Sequence, residues 1–94
     1  MVEKFLAEKF EGKLFVDICL MKIFGNSYTI NKDYYTVLHG IVYMVNDGTM
    51  QKSGDSLLSL KTNCKMIGKF DSTKLYKRVQ REYTYAEFKK IHRL

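Results

Sequence analysis

The stretch KLFVDICLMKIF, residues 13–24, decides how the chain is read. Leu14, Val16, Ile18 and Leu20 alternate with Phe15, Asp17, Cys19 and Met21, and both rows are largely apolar. A period of two with two apolar rows predicts a strand covered on both faces for most of its length, with Ile18 in the core. Asp17 and Lys22 break the apolar run Leu14–Phe24 well below the ~18 residues a membrane helix needs, so no membrane partner is expected.

Upstream, Val2, Phe5, Leu6 and Phe10 recur at helical spacing, with Glu3, Lys4, Glu8, Lys9 and Glu11 on the other side and Gly12 as a stop. This predicts an amphipathic helix over 2–11. The opening Met1-Val2-Glu3-Lys4 lacks the apolar region of a secretory signal, and the expected location is cytoplasmic.

Downstream, Gly25-Asn26-Ser27 is a turn signal. It predicts a short returning strand, Tyr28–Ile30, ended by the polar break Asn31-Lys32-Asp33. Tyr34–Val45 is rich in β-branched and aromatic residues, and Gly40 within it points to a bulge or sharp bend. Asn46-Asp47-Gly48 closes that run as a hairpin turn, because all three residue types tolerate positive φ; Thr49–Lys52 would be the short partner strand.

Residues 56–67 fit two periods. Leu57, Leu60, Cys64 and Ile67 make a helical seam with Asp55 or Ser56 as N-cap and Gly68 as stop, whereas Leu58, Leu60, Thr62, Cys64 and Met66 alternate as in a strand. The two caps favour the helix. Lys74–Tyr83 is expected as a strand, because Thr84-x-x-Glu87 is a capping box, and a fresh N-cap before a helix from Tyr85 to His92 is redundant if the preceding residues are already helical. The expected fold is therefore α+β in a single globular domain spanning 1–94: a small antiparallel sheet of four or five strands with an N-terminal and a C-terminal helix.

The chain has 94 residues, 46% hydrophobic and 28% charged, a size that leaves little room for a large enzyme pocket. Its net charge is +6, and the excess is local. Residues 1–24 sum to 0, residues 25–60 to −1 and residues 61–94 to +7, with ten basic side chains against three acidic ones in that last third. The same third holds all three arginines.

The chemistry that would mark an enzyme is missing from the sequence. His39 and His92 have no companion at metal-ligand spacing, and the six glycines never form a phosphate-binding G-x-G-x-x-G or P-loop pattern. Cys19 and Cys64 lie 45 positions apart and are expected as buried, reduced thiols. A His39–Cys64 dyad would need the fold to bring them together. Asp17 is the carboxylate most out of place, readable as an edge position or as an acid with a raised pKa. No catalytic residue, metal or cofactor is expected.

The basic third supplies the candidate site. Lys74, Tyr76, Lys77, Arg78, Arg81, Tyr83, Tyr85, Lys89, Lys90 and Arg93 combine cations that neutralise phosphates with rings on which bases can stack. The leading expectation is a small non-enzymatic module binding nucleic acid, RNA or DNA, with limited sequence preference. The alternative is a protein-interaction module, a small phage-like inhibitor or regulator that docks its basic surface on an acidic protein surface of the host, with a homo-oligomer such as a homodimer within its scope.

Overall fold

The computed structural model describes residues 2–24, 27–84, 86, 87 and 90, the side chains of Ile23 and Phe24 excepted. The described residues form a mixed α+β structure, with helices α1 and α2 and a six-stranded antiparallel sheet. Helix α1 spans Val2–Phe10, β1 Lys13–Phe24, β2 Ser27–Leu38, β3 Ile41–Met44, β4 Gln51–Lys52, α2 Leu57–Asn63, β5 Lys65–Lys69 and β6 Val79–Thr84. The strands run β4-β3-β2-β1-β5 across the sheet, and β6 adds to β2. Of the C-terminal helix, residues 86, 87 and 90 are helical and the remainder lies outside the described residues.

The long hairpin β1–β2 is the spine, paired from Leu14↔Thr36 to Lys22↔Tyr28. One edge of β2 carries β1 along this length, and the other is divided. β3 pairs with Tyr35–Leu38, whereas β6 pairs with Ser27–Lys32. Asp33 and Tyr34 fall in the gap, and Asn46 fills it. The Tyr34 N–H donates to Asn46 Oδ1 at 2.8 Å, the Asn46 amide donates to Asp33 Oδ1 at 2.9 Å, and the Val45 N–H donates to the Tyr34 carbonyl at 2.9 Å. A side chain thereby satisfies a backbone donor that neither partner strand reaches. The expected polar break at Asn31-Lys32-Asp33 is not a break, because Cys19, Ile18 and Asp17 of β1 pair with these three residues and carry the strand through.

Two turns differ in how visible they were. Asn46–Thr49 is the expected one: Asp47 and Gly48 have φ of 54° and 79°, and the Thr49 N–H donates to the Asn46 carbonyl. The β2–β3 turn, His39-Gly40, is the sharp bend suggested at Gly40, and it is a two-residue hairpin with φ of 54° and 74°. Left-handed backbone is costly at a non-glycine residue. Glu11 holds it, accepting from the His39 N–H at 2.8 Å and the Gly40 N–H at 3.3 Å.

Residues 56–67 divide between their two readings. Ser56 caps α2, its hydroxyl accepting from the Ser59 N–H, and the helix ends at Cys64; then β5 begins, so Gly68 lies inside a strand and is not a helix stop. The capping box is formed, with Thr84 Oγ1 accepting from the Glu87 N–H at 3.2 Å. The strand expected over Lys74–Tyr83 is shorter, β6 beginning only at Val79.

The core lies at the base of the sheet. On one face Phe15, Tyr35, Val37 and Val42 pack under Leu6 and Phe10 of α1 and Leu57 and Leu60 of α2. The Phe10 and Phe15 rings meet edge-on at 4.9 Å. The opposite face buries Leu14, Val16 and Thr36. β5 and β6 lie on opposite sides of the β1–β2 pair, so the chain between them has to cross the sheet. It crosses this second face, where the Tyr76 ring stands 5.9 Å from Phe70 and 5.4 Å from Tyr34.

Beyond Val16 the cover stops. β5 pairs only with Lys13–Val16, and Ile18 is 61% exposed, Leu20 45% and Met21 54%. The expectation of a β1 buried on both faces with Ile18 in the core is thus corrected: among the described side chains of β1, only Leu14, Phe15 and Val16 are buried. The outer halves of β1 and β2, with β6, form a three-stranded arm ~20 Å long. The radius of gyration, 15.1 Å, exceeds the ~12 Å of a compact chain of this length, and the molecule extends 44 × 30 × 22 Å.

Candidate nucleic-acid interface

Directly paired residues project from the same face of a sheet, so the register sorts the arm into two faces. On one face the rows across β1, β2 and β6 are Ile18, Lys32, Val79; then Leu20, Ile30, Arg81; then Lys22, Tyr28, Tyr83. No acid occurs in these rows. On the other face Asp17 stands opposite Asp33, followed by Cys19, Asn31, Gln80 and by Met21, Thr29, Glu82. The arm is a ribbon with a basic, aromatic and apolar side and an acidic, polar side.

On the basic face Arg81 and Lys22 are exposed, while Lys32, Tyr28 and Tyr83 are half-buried. The Arg81 guanidinium lies 4.7 Å from the centre of the Tyr83 ring, and the Lys32 ammonium 5.4 Å from that of Tyr34. Such cation–ring contacts contribute ~0.5–1 kcal/mol each at exposed sites and hold the cation over the sheet. Arginine stacked in this way still has N–H groups to offer a phosphate.

The acidic face is arranged differently. Burial, then the charges of Asp33 and Asp55, hold the Asp17 carboxyl above its usual range. Burial chiefly pushes the neighbouring Tyr35 hydroxyl up to about 12 and the Cys64 thiol up to about 11, so both stay protonated at neutral pH. Asp17, Tyr35, Asp55 and Cys64 line a small cleft with Ser59 and Asn63. The partner carboxylates of Asp17, invisible in the linear sequence, come from β2 and from the loop before α2. Among the described residues no group of three or more His, Cys, Asp or Glu side chains is placed to hold a metal ion.

Of the residues expected to form the site, Arg81 and Tyr83 lie on the basic face of the arm. Arg78 points to the opposite side, its Nε 3.0 Å from Asp33 Oδ1 and its N–H donating to Asp47 Oδ1 at 3.1 Å, and so fastens β6 to the gap in β2. Tyr76 is engaged in the ring stack with Tyr34 and Phe70, its hydroxyl accepting from the Asp71 N–H. Lys74 and Lys77 are exposed on the segment leading into β6, and Lys90 is exposed beyond it. Tyr85, Lys89 and Arg93 lie outside the described residues. Lys22, Tyr28 and Lys32 join the face from β1 and β2, and sequence reading missed them. The signal for the two on β2 was the alternation Tyr28, Ile30, Lys32, hidden by ending the strand at Ile30.

The two cysteines, expected buried, are not: Cys19 is exposed on the arm and Cys64 half-buried at the end of α2, and the two are not bonded to each other. His39 sits in the β2–β3 turn against Glu11, in surroundings separate from those of Cys64. Among the described residues no helix is long and apolar enough to cross a membrane. Compared with known proteins, the chain matches no family model, no curated protein and no solved structure, so the reading of this face rests on its own chemistry.

Proposed function

We propose that the chain is a non-enzymatic module that binds nucleic acid, RNA or DNA, through the basic face of its arm. One observation carries this: Lys22, Lys32 and Arg81 share an acid-free sheet face with Tyr28 and Tyr83. Cations there neutralise phosphates and release counterions, while the rings and the aliphatic side chains between them offer apolar contact to bases. The acids of the arm are on the reverse side, where they do not repel a bound strand directly.

The test is fluorescence anisotropy of a labelled twelve-nucleotide strand titrated with protein at several salt concentrations. Three phosphate contacts on a single strand give a log–log salt slope of about −2. The variant K22Q/K32Q/R81Q is expected to lose binding without unfolding. Undiminished binding by that variant contradicts the assignment of the face.

The protein-docking alternative has its own observation. Among the described residues, the outer edge of β1 beyond Val16 has no strand partner, and exposed Ile18, Leu20 and Met21 line it. An extended segment of another protein could add to such an edge. Association of that kind would persist at high salt, where phosphate-driven binding fades.

A further inference from the structure

We infer that the arm selects single-stranded over double-stranded nucleic acid, laying neighbouring bases on its Tyr28–Tyr83 end; this rests on the nucleic-acid reading above and names its substrate class. Tyr28 and Tyr83 are direct cross-strand partners, which places their side chains about 5 Å apart at the base of the rings. Two consecutive bases of a splayed strand can meet two such positions. The Arg81 guanidinium over the Tyr83 ring sits beside this end, within reach of the phosphate that joins the bases.

Next to the rings each row sets two apolar side chains beside one cation. Leu20 and Ile30 form the adjoining row with Arg81, and Ile18 and Val79 flank Lys32 in the row beyond. A duplex presents phosphates and groove edges and keeps its base faces stacked inside, so it gains little from an apolar bed. Unstacked bases bring the faces that such a bed favours. The width of the arm works in the same direction: its outer strands are ~10 Å apart before edge side chains are counted, and the major groove is only ~12 Å wide. The charge is sparse as well. Three cations over ~20 Å suit one strand, whereas a duplex carries a charge every ~1.7 Å.

The experiment compares a labelled twelve-nucleotide DNA strand, the RNA of the same sequence and the corresponding DNA duplex at one salt concentration, for the wild type, Tyr83→Leu, Tyr83→Phe and K32Q/R81Q, each checked for folding by circular dichroism. Single strands are expected to bind at least about tenfold more tightly than the duplex. Tyr83→Leu should weaken single-strand binding about 5- to 100-fold with an unchanged salt slope, and Tyr83→Phe, which keeps the ring, should restore it. Equal affinity for strand and duplex, or indifference to Tyr83→Leu while K32Q/R81Q abolishes binding, overturns the single-strand inference and leaves the nucleic-acid reading standing. Absence of binding to all three probes overturns both.

Discussion

β1 is two strands in physical terms. At its base Leu14, Phe15 and Val16 are 5%, 2% and 5% exposed, beneath helices on one side and the Phe70–Tyr76 crossing on the other; a few residues on, Ile18 is 61% exposed with the same alternation and the same partner strand. Alternation decides which way a side chain points, but whether anything covers it is decided by elements far away in the chain. The base carries the core, and the arm stands outside it.

Two truncations should show the largest difference between base and arm. Phe15→Ala should cost ~3–5 kcal/mol in denaturant unfolding, since it opens a cavity in the centre of the core. Ile18→Ala should cost under ~1 kcal/mol, because the methyl groups it removes already face water. Comparable costs would mean that the arm is covered.

At the junction of the two regions, Asn46→Ala should cost ~1–3 kcal/mol, by leaving the part-buried Tyr34 N–H without its acceptor. In a domain of this size that is a fall in Tm of roughly 4–24 °C by thermal unfolding. A neutral substitution would show that β2 does not need the gap filled.

The smallest effect concerns the acidic face. Asp17 has its pKa raised in the fold, by burial first and then by Asp33 and Asp55. The folded state therefore holds that proton more tightly than the unfolded chain, and ionisation destabilises the fold as pH rises through the folded-state value. Asp17→Asn should raise Tm at pH 7, and the gain should shrink as pH falls toward the ordinary value of 3.8. A gain independent of pH would point to some cause other than the charge.

How much of this was legible in the sequence follows the same division. Local chemistry was readable: the α1 pattern with its Gly12 stop, the Asn46-Asp47-Gly48 turn, the Ser56 cap and the Thr84–Glu87 box each depend on residues a few positions apart. The His39-Gly40 hairpin was only half readable, because its support, Glu11, is 28 positions from His39. Strand continuity through Asn31-Lys32-Asp33 was not readable, since those polar residues are held by pairing with β1. For the site, Arg81 and Tyr83 fell within the strand expected over Lys74–Tyr83, but charge counted along the chain could not show that Arg78 is turned away onto Asp33. Nor could it add Lys22 and Lys32, which come from segments with no excess positive charge.

The most direct test of the account is amide mapping by two-dimensional NMR as a short single-stranded oligonucleotide is added to the full chain at low salt. Shifts are expected to concentrate at Ile18–Lys22, Tyr28–Lys32 and Val79–Tyr83, with the core residues Leu6, Phe15 and Leu60 unmoved. Shifts centred instead on the β5 lysines, Lys65 and Lys69, with the arm silent, would contradict it.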